Sequence, residues 1–115
     1  QDGINLLLHE FAHALWLEYK LVDSYYVLDP ELVEQFEKYA EHEMQSLAAN
    51  ETHFFRPYAF DSMEEFFAVA VENFFERPRP FQQAQPGLYL ILVQLFKQDP
   101  IKLNVPRTQQ KPLFP

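Results

Sequence analysis

Leu8-His9-Glu10-Phe11-Ala12-His13 is the stretch on which the reading of this chain turns. It is an H-E-x-x-H motif inside a run that scans as helix, with Leu6, Leu7, Ala14 and Leu17 supplying apolar positions around it. Residues four apart on a helix lie one above the other on the same face. His9 and His13 can therefore turn both imidazoles toward one metal ion. Glu10 sits a third of a turn away, where its carboxylate can reach a metal-bound water without being a ligand. A zinc hydrolase needs these parts: two neutral nitrogen ligands, an open coordination position and a general base beside it. The same six residues are also compatible with a helix that carries two surface histidines and an unrelated Glu, so a third ligand has to separate the two readings.

Composition bounds the rest. A chain of 115 residues is the size of one domain, and 48% hydrophobic residues with 17% aromatics can build a real core, here of bulky rings because 12 residues are Phe. The net charge of -8 speaks against direct binding of nucleic acid, which needs clustered Lys and Arg. The acidic residues are spread along helices rather than run together as a tail. With no Cys, any metal site must be built from His and carboxylates; this usage fits a reducing compartment, and a cytoplasmic location is the expectation. No apolar run reaches the ~18 to 20 residues that span a bilayer, and no secretory signal is visible, so no membrane partner is expected. The chain opens on Gln1 and meets its motif at once; it is expected to be a C-terminal fragment of a longer protein, with residues 1–115 forming a single domain.

The pattern predicts a mainly α fold of about four helices. The first covers about Ile4 to Tyr19. Leu21 to Asp29 reads as a loop, and Asp29-Pro30 as a helix start, with Asp capping and Pro in the first turn. The second helix, about Pro30 to Ala48, has Leu32, Val33, Phe36, Tyr39, Ala40 and Leu47 on one side and charges on the other. Ala49 to Asp61 reads as an aromatic-rich loop. Ser62 is a good N-cap for a third helix to about Glu76, ended by Arg77-Pro78-Arg79-Pro80. A fourth helix runs from about Pro86 to Gln98, and residues 101–115 read as an extended, Pro-rich tail.

The third ligand must come from another element, since one helix cannot surround a metal. The candidates are His42, His53, Asp61, Glu64, Glu65 and Glu72. Glu65 and Glu72 are seven apart and share a face of an otherwise apolar helix, where an inward charge is costly unless it is paired or metal-bound. Glu65 is the choice for ligand; Glu72 is placed to accept an N–H from a ligating His and fix its tautomer. Glu64 reads as a solvated first-turn acid complementing the helix dipole. His42 and His53 read as surface or packing histidines.

Three stretches together resemble the catalytic region of the Mlc titration factor A family, which are gluzincin-like zinc metallopeptidases. They are Asn5 through His13, then Ser62 through Ala70 continuing from Glu72 to Pro78, and Pro86-Gly87-Leu88-Tyr89 followed by Phe96 to Pro100. The resemblance implies the helical part of a zincin-like metallopeptidase domain, one Zn2+ per chain held by His9, His13 and Glu65, and Glu10 as general base. It also points to Tyr58, seven residues before Glu65, as a phenol that donates to the oxyanion. The implied substrate is a peptide or protein, cleaved by aminopeptidase or endopeptidase action. The family's name implies a second possibility: a regulatory protein that sequesters a transcriptional repressor of the Mlc type around an idle zinc site. Two positions depart from the family. Trp16 stands where an Asp is usual, so its task would pass to Glu18 or Glu72, and Leu21 to Leu28 lacks the expected glycines.

Overall fold

The computed structural model describes residues 3–21, 28–49 and 54–103. Among them the chain is helical with no strand: α1 (Gly3–Leu21), α2 (Pro30–Ala49), a 3-10 turn (Pro57–Phe60), α3 (Met63–Glu76), α4 (Pro78–Ala84), α5 (Pro86–Phe96) and α6 (Pro100–Leu103). The mainly α expectation holds. Two short helices were not legible. The Pro78-Pro80 stretch does end α3, but the same prolines open α4, because a proline lacks a donor that the first turn of a helix does not need. Pro100 opens α6 in the same way, so residues 101–103 are helical rather than extended, and residues 104–115 lie outside the described part.

The helix α3 is the centre of the fold. Ser62 is extended and its Oγ accepts the backbone N–H of Glu65 at 3.0 Å, which caps the first turn. From Phe66 to Glu72 every residue is buried, and Phe74 with them. A helix apolar nearly all round has to be enclosed on all sides, and α3 is met by α1, by the 3-10 turn, and by α2, α4 and α5. Its packing is aromatic. Phe67 lies between Trp16 of α1 (ring centroids 4.9 Å apart) and Phe36 of α2 (5.3 Å). Phe66 meets Phe36 at 5.7 Å and Phe55 at 5.2 Å, both edge to face, the arrangement ring quadrupoles favour.

The remaining helices are fastened by polar contacts at their ends. Tyr39 of α2 donates to Gln85 Oε1 at 2.6 Å, just before α5. Lys97, in the left-handed region at φ 56°, ends α5. Tyr89 of α5 donates to Asp99 Oδ1 at 2.6 Å, which ties α5 to the start of α6; burial, then this bond, push its phenol up to about 12. Outside this packing, α1 leaves Leu6, Leu7, Phe11, Leu17 and Leu21 exposed. No helix among the described residues is long and apolar enough to cross a membrane.

This architecture makes two stability predictions. Phe67, wholly buried, should lose about 3–5 kcal/mol on replacement by Ala. Ser62→Ala should lose about 1 kcal/mol through the missing cap. Urea unfolding measures both; a Phe67→Ala variant within 1 kcal/mol of the parent protein would contradict the central place given to α3.

Candidate metal centre

His9 and His13 lie one turn apart on α1, and α3 brings three carboxylates to them. The two Nε2 atoms are 3.0 Å apart. Glu65 closes the triangle, its Oε1 2.7 Å from His13 Nε2 and its Oε2 3.5 Å from His9 Nε2. Tetrahedral coordination at ~2.0–2.1 Å puts neighbouring ligand atoms ~3.3–3.4 Å apart; the Nε2–Nε2 distance and the two Glu65 contacts, each made through a different oxygen, fall on either side of that value. One atom from each of His9, His13 and Glu65 falls within 4.8 Å of the others.

The outer ring nitrogens are held as well. His9 Nδ1 is 2.7 Å from Glu72 Oε1, and His13 Nδ1 contacts Glu64 Oε2. A neutral imidazole that donates from Nδ1 keeps its lone pair on Nε2, and a carboxylate on Nδ1 raises the basicity of that lone pair. His9 thus meets Glu72 near the end of α3, and His13 meets Glu64 near its start, so the two helices pass each other in opposite directions. Two imidazoles facing three carboxylates make an acidic site whose excess charge a divalent cation offsets in large part. The donor set of two nitrogens and one oxygen suits a divalent transition metal, and three protein ligands leave a coordination position open.

The other residues singled out by sequence are placed as follows. Glu10 is exposed on α1, one residue on from His9. Tyr58, in the 3-10 turn, has its ring centroid 6.4 Å from that of His9. Burial, then the Glu72 carboxylate, hold its phenol above the ordinary value against an opposing effect of Arg56, so it carries its proton at neutral pH. Trp16 is a core residue, 4% exposed, packed on Phe67 and on Phe36 at 6.0 Å. Glu18 is exposed, whereas Glu72 does engage a histidine. His42 is exposed and Asp61 closes the 3-10 turn. His53 and most of the loop after α1 lie outside the described residues.

Glu64 is the residue that sequence reasoning missed. Its place in the sequence reads as a solvated acid at the start of a helix, whereas the structure sets it against His13 Nδ1. A signal was present: each histidine of the motif has a second ring nitrogen that needs a partner, and Glu72 could serve only one of them.

A metallopeptidase is the class that this helix pair and its His-His-Glu cluster suggest. The chain belongs to the family described as glucose-regulated metallo-peptidase M90, whose model matches residues 1–97. The match takes in α1, α3 and the whole cluster. No curated protein and no solved structure shows significant similarity to the chain.

The electrostatics of His13 can be tested without metal. Burial works to lower its pKa, but the hydrogen bond to Glu64 and the charges of Glu65 and Glu64 outweigh it, and the net shift is upward from 6.5. A raised folded value means that protonated His13 stabilises the metal-free fold below the unfolded value, a contribution lost as pH rises through the folded one. In metal-free protein, NMR should find His13 titrating above 6.5, and Glu64→Gln should move it down. An unchanged titration in Glu64→Gln would remove Glu64 as its partner.

Proposed function

We propose that the protein is a zinc-dependent peptidase that hydrolyses peptide bonds with His9, His13 and Glu65 as the metal ligands, Glu10 as general base and Tyr58 as oxyanion donor. The observation that carries this reading is the convergence of both Nε2 atoms and the Glu65 carboxylate, with each Nδ1 backed by a carboxylate of its own. A structural zinc is usually closed by four protein ligands; among the described residues the cluster offers three. Membership of a peptidase family supports peptide bonds as the substrate class.

When bound, zinc would lower the pKa of a water at the open position to ~7 and polarise the scissile carbonyl. The chain's own residues do the rest. Glu72 and Glu64 hold the two imidazoles with their lone pairs inward. Glu10, exposed beside His9, takes the proton from the attacking water and passes it to the leaving amine. Tyr58, kept protonated by its surroundings, donates its hydroxyl to the oxygen that gains charge as the carbonyl becomes tetrahedral.

Elemental analysis should find one zinc per chain, lost in His13→Ala and depleted in Glu65→Ala. Glu10→Gln should keep the metal and lose nearly all cleavage of a peptide library, because an amide fills the carboxylate's place without accepting a proton. Tyr58→Phe should keep the metal and lower the rate by ~10²- to 10³-fold. A Glu10→Gln protein that cleaves at the parental rate would remove Glu10 as base. A parent protein with full zinc that cleaves no peptide, yet binds a repressor of the Mlc type unchanged by either substitution, would replace the peptidase with a sequestering module.

A further inference from the structure

A small, partly open cleft of about 80 Å³ lies beside the histidine cluster. Two of its walls belong to that cluster's surroundings: Tyr58, whose ring faces His9, and Glu72, whose carboxylate holds His9 Nδ1. A peptide whose carbonyl lies against Tyr58 therefore has the cleft within reach of its neighbouring residues. In a chain of net charge -8, this cleft is lined by two arginines, Arg56 and Arg77.

Arg77 is held in place from two directions. Its guanidinium carbon lies 4.7 Å from the centroid of the Phe54 ring, which covers one face of the planar group. Its Nη1 donates to Asn73 Oδ1 at 3.4 Å. Asn73 is itself oriented, because its Nδ2 donates to the carbonyl of Val69 at 2.9 Å. Stacking on Phe54 occupies no donor, and Asn73 takes one of the five that a guanidinium carries. A positioned fork of that kind matches the two oxygens of a carboxylate. Two acids share the lining: Glu72 is engaged by His9, and Glu76 lies exposed with an interaction of its own.

We propose that Arg77, with Arg56 beside it, forms a carboxylate-binding subsite next to the metal centre, so that the protein selects peptides carrying a free C-terminal carboxylate or an Asp or Glu side chain close to the bond cleaved. This rests on the peptidase reading and adds the substrate class to it. The two sources of carboxylate share one chemistry, and the peptides chosen for the test separate them.

The test uses short peptides in matched pairs, Asp against Asn at each position and a free against an amidated C-terminus. In the zinc-loaded protein, kcat/KM for the carboxylate member should exceed that for its amide by about tenfold or more, the worth of a charge-assisted hydrogen bond. Arg77→Gln should erase the preference while leaving the neutral peptides within about twofold. Arg77→Lys, which keeps the charge but not the flat fork, should fall between. The pair that shows the preference identifies the source. Binding is read separately, by titration calorimetry of the same peptides into the Glu10→Gln protein, where Arg77→Gln should again abolish discrimination. If binding discriminates through Arg77 but the parent protein cleaves nothing, the subsite stands and the peptidase reading falls. If peptides are cleaved without regard to charge, or Arg77→Gln slows charged and neutral peptides alike, the subsite is overturned and the peptidase reading stands. Should Arg77→Gln fail to fold, Arg77→Lys carries the comparison by calorimetry: a weakened discrimination supports the subsite, and discrimination equal to that of the parent protein overturns it.

Discussion

Three carboxylates on the most buried helix of the fold face two histidines on its neighbour, and the rest of the structure accommodates that juxtaposition. Glu72 is 8% exposed and follows the buried apolar run from Phe66 to Val71. A carboxylate in such a place is costly without a partner, and His9 Nδ1 supplies one at 2.7 Å. The same contact fixes how α1 lies on α3. Once His9 is set against Glu72, the turn of α1 that carries His13 falls against the start of α3, where Glu64 and Glu65 stand. The packing of Trp16 on Phe67 secures that crossing from the apolar side.

Much of this was open to inspection in the sequence, for reasons that differ between elements. The metal motif is legible because four-residue spacing has one geometric meaning on a helix. Ser62 was legible as a cap because a hydroxyl before an apolar run has a specific backbone task. Glu65 and Glu72 drew attention as charges on an apolar helix, and the structure brings both to the histidines. What stayed hidden was what spacing alone does not encode. Proline reads as a breaker, yet at Pro78 and Pro100 it starts helices, a choice settled by what the following residues can pack against. Glu64 looks like any first-turn acid until the direction of α1 across α3 is known.

Trp16 shows how a position can pass from the polar side of a helix crossing to the apolar one. The resemblance to the Mlc titration factor A family led to an expectation of Asp here, with a polar task to be taken over elsewhere. In this chain the position is closed core, with Phe36 and Phe67 against the indole and Lys20 5.1 Å over it. The histidines still have carboxylates on both outer nitrogens, and both come from α3. A site supported wholly by one facing helix leaves α1 free to use its next turn for packing.

That dependence on one helix has a consequence for how the two histidines are held. His13 is gripped on both ring nitrogens by adjacent residues, Glu64 on Nδ1 and Glu65 on Nε2, so one turn of α3 sets its position and ring orientation. His9 is held by Glu65 and Glu72, two turns apart, and its orientation depends on α3 being continuous between them. The buried run from Phe66 to Val71 provides that continuity, and the Ser62 cap, which receives the N–H of Glu65 itself, keeps the first turn from fraying. The aromatic core and the polar cluster are therefore not separable parts: the rings that enclose α3 hold its two ends at the separation the two imidazoles require.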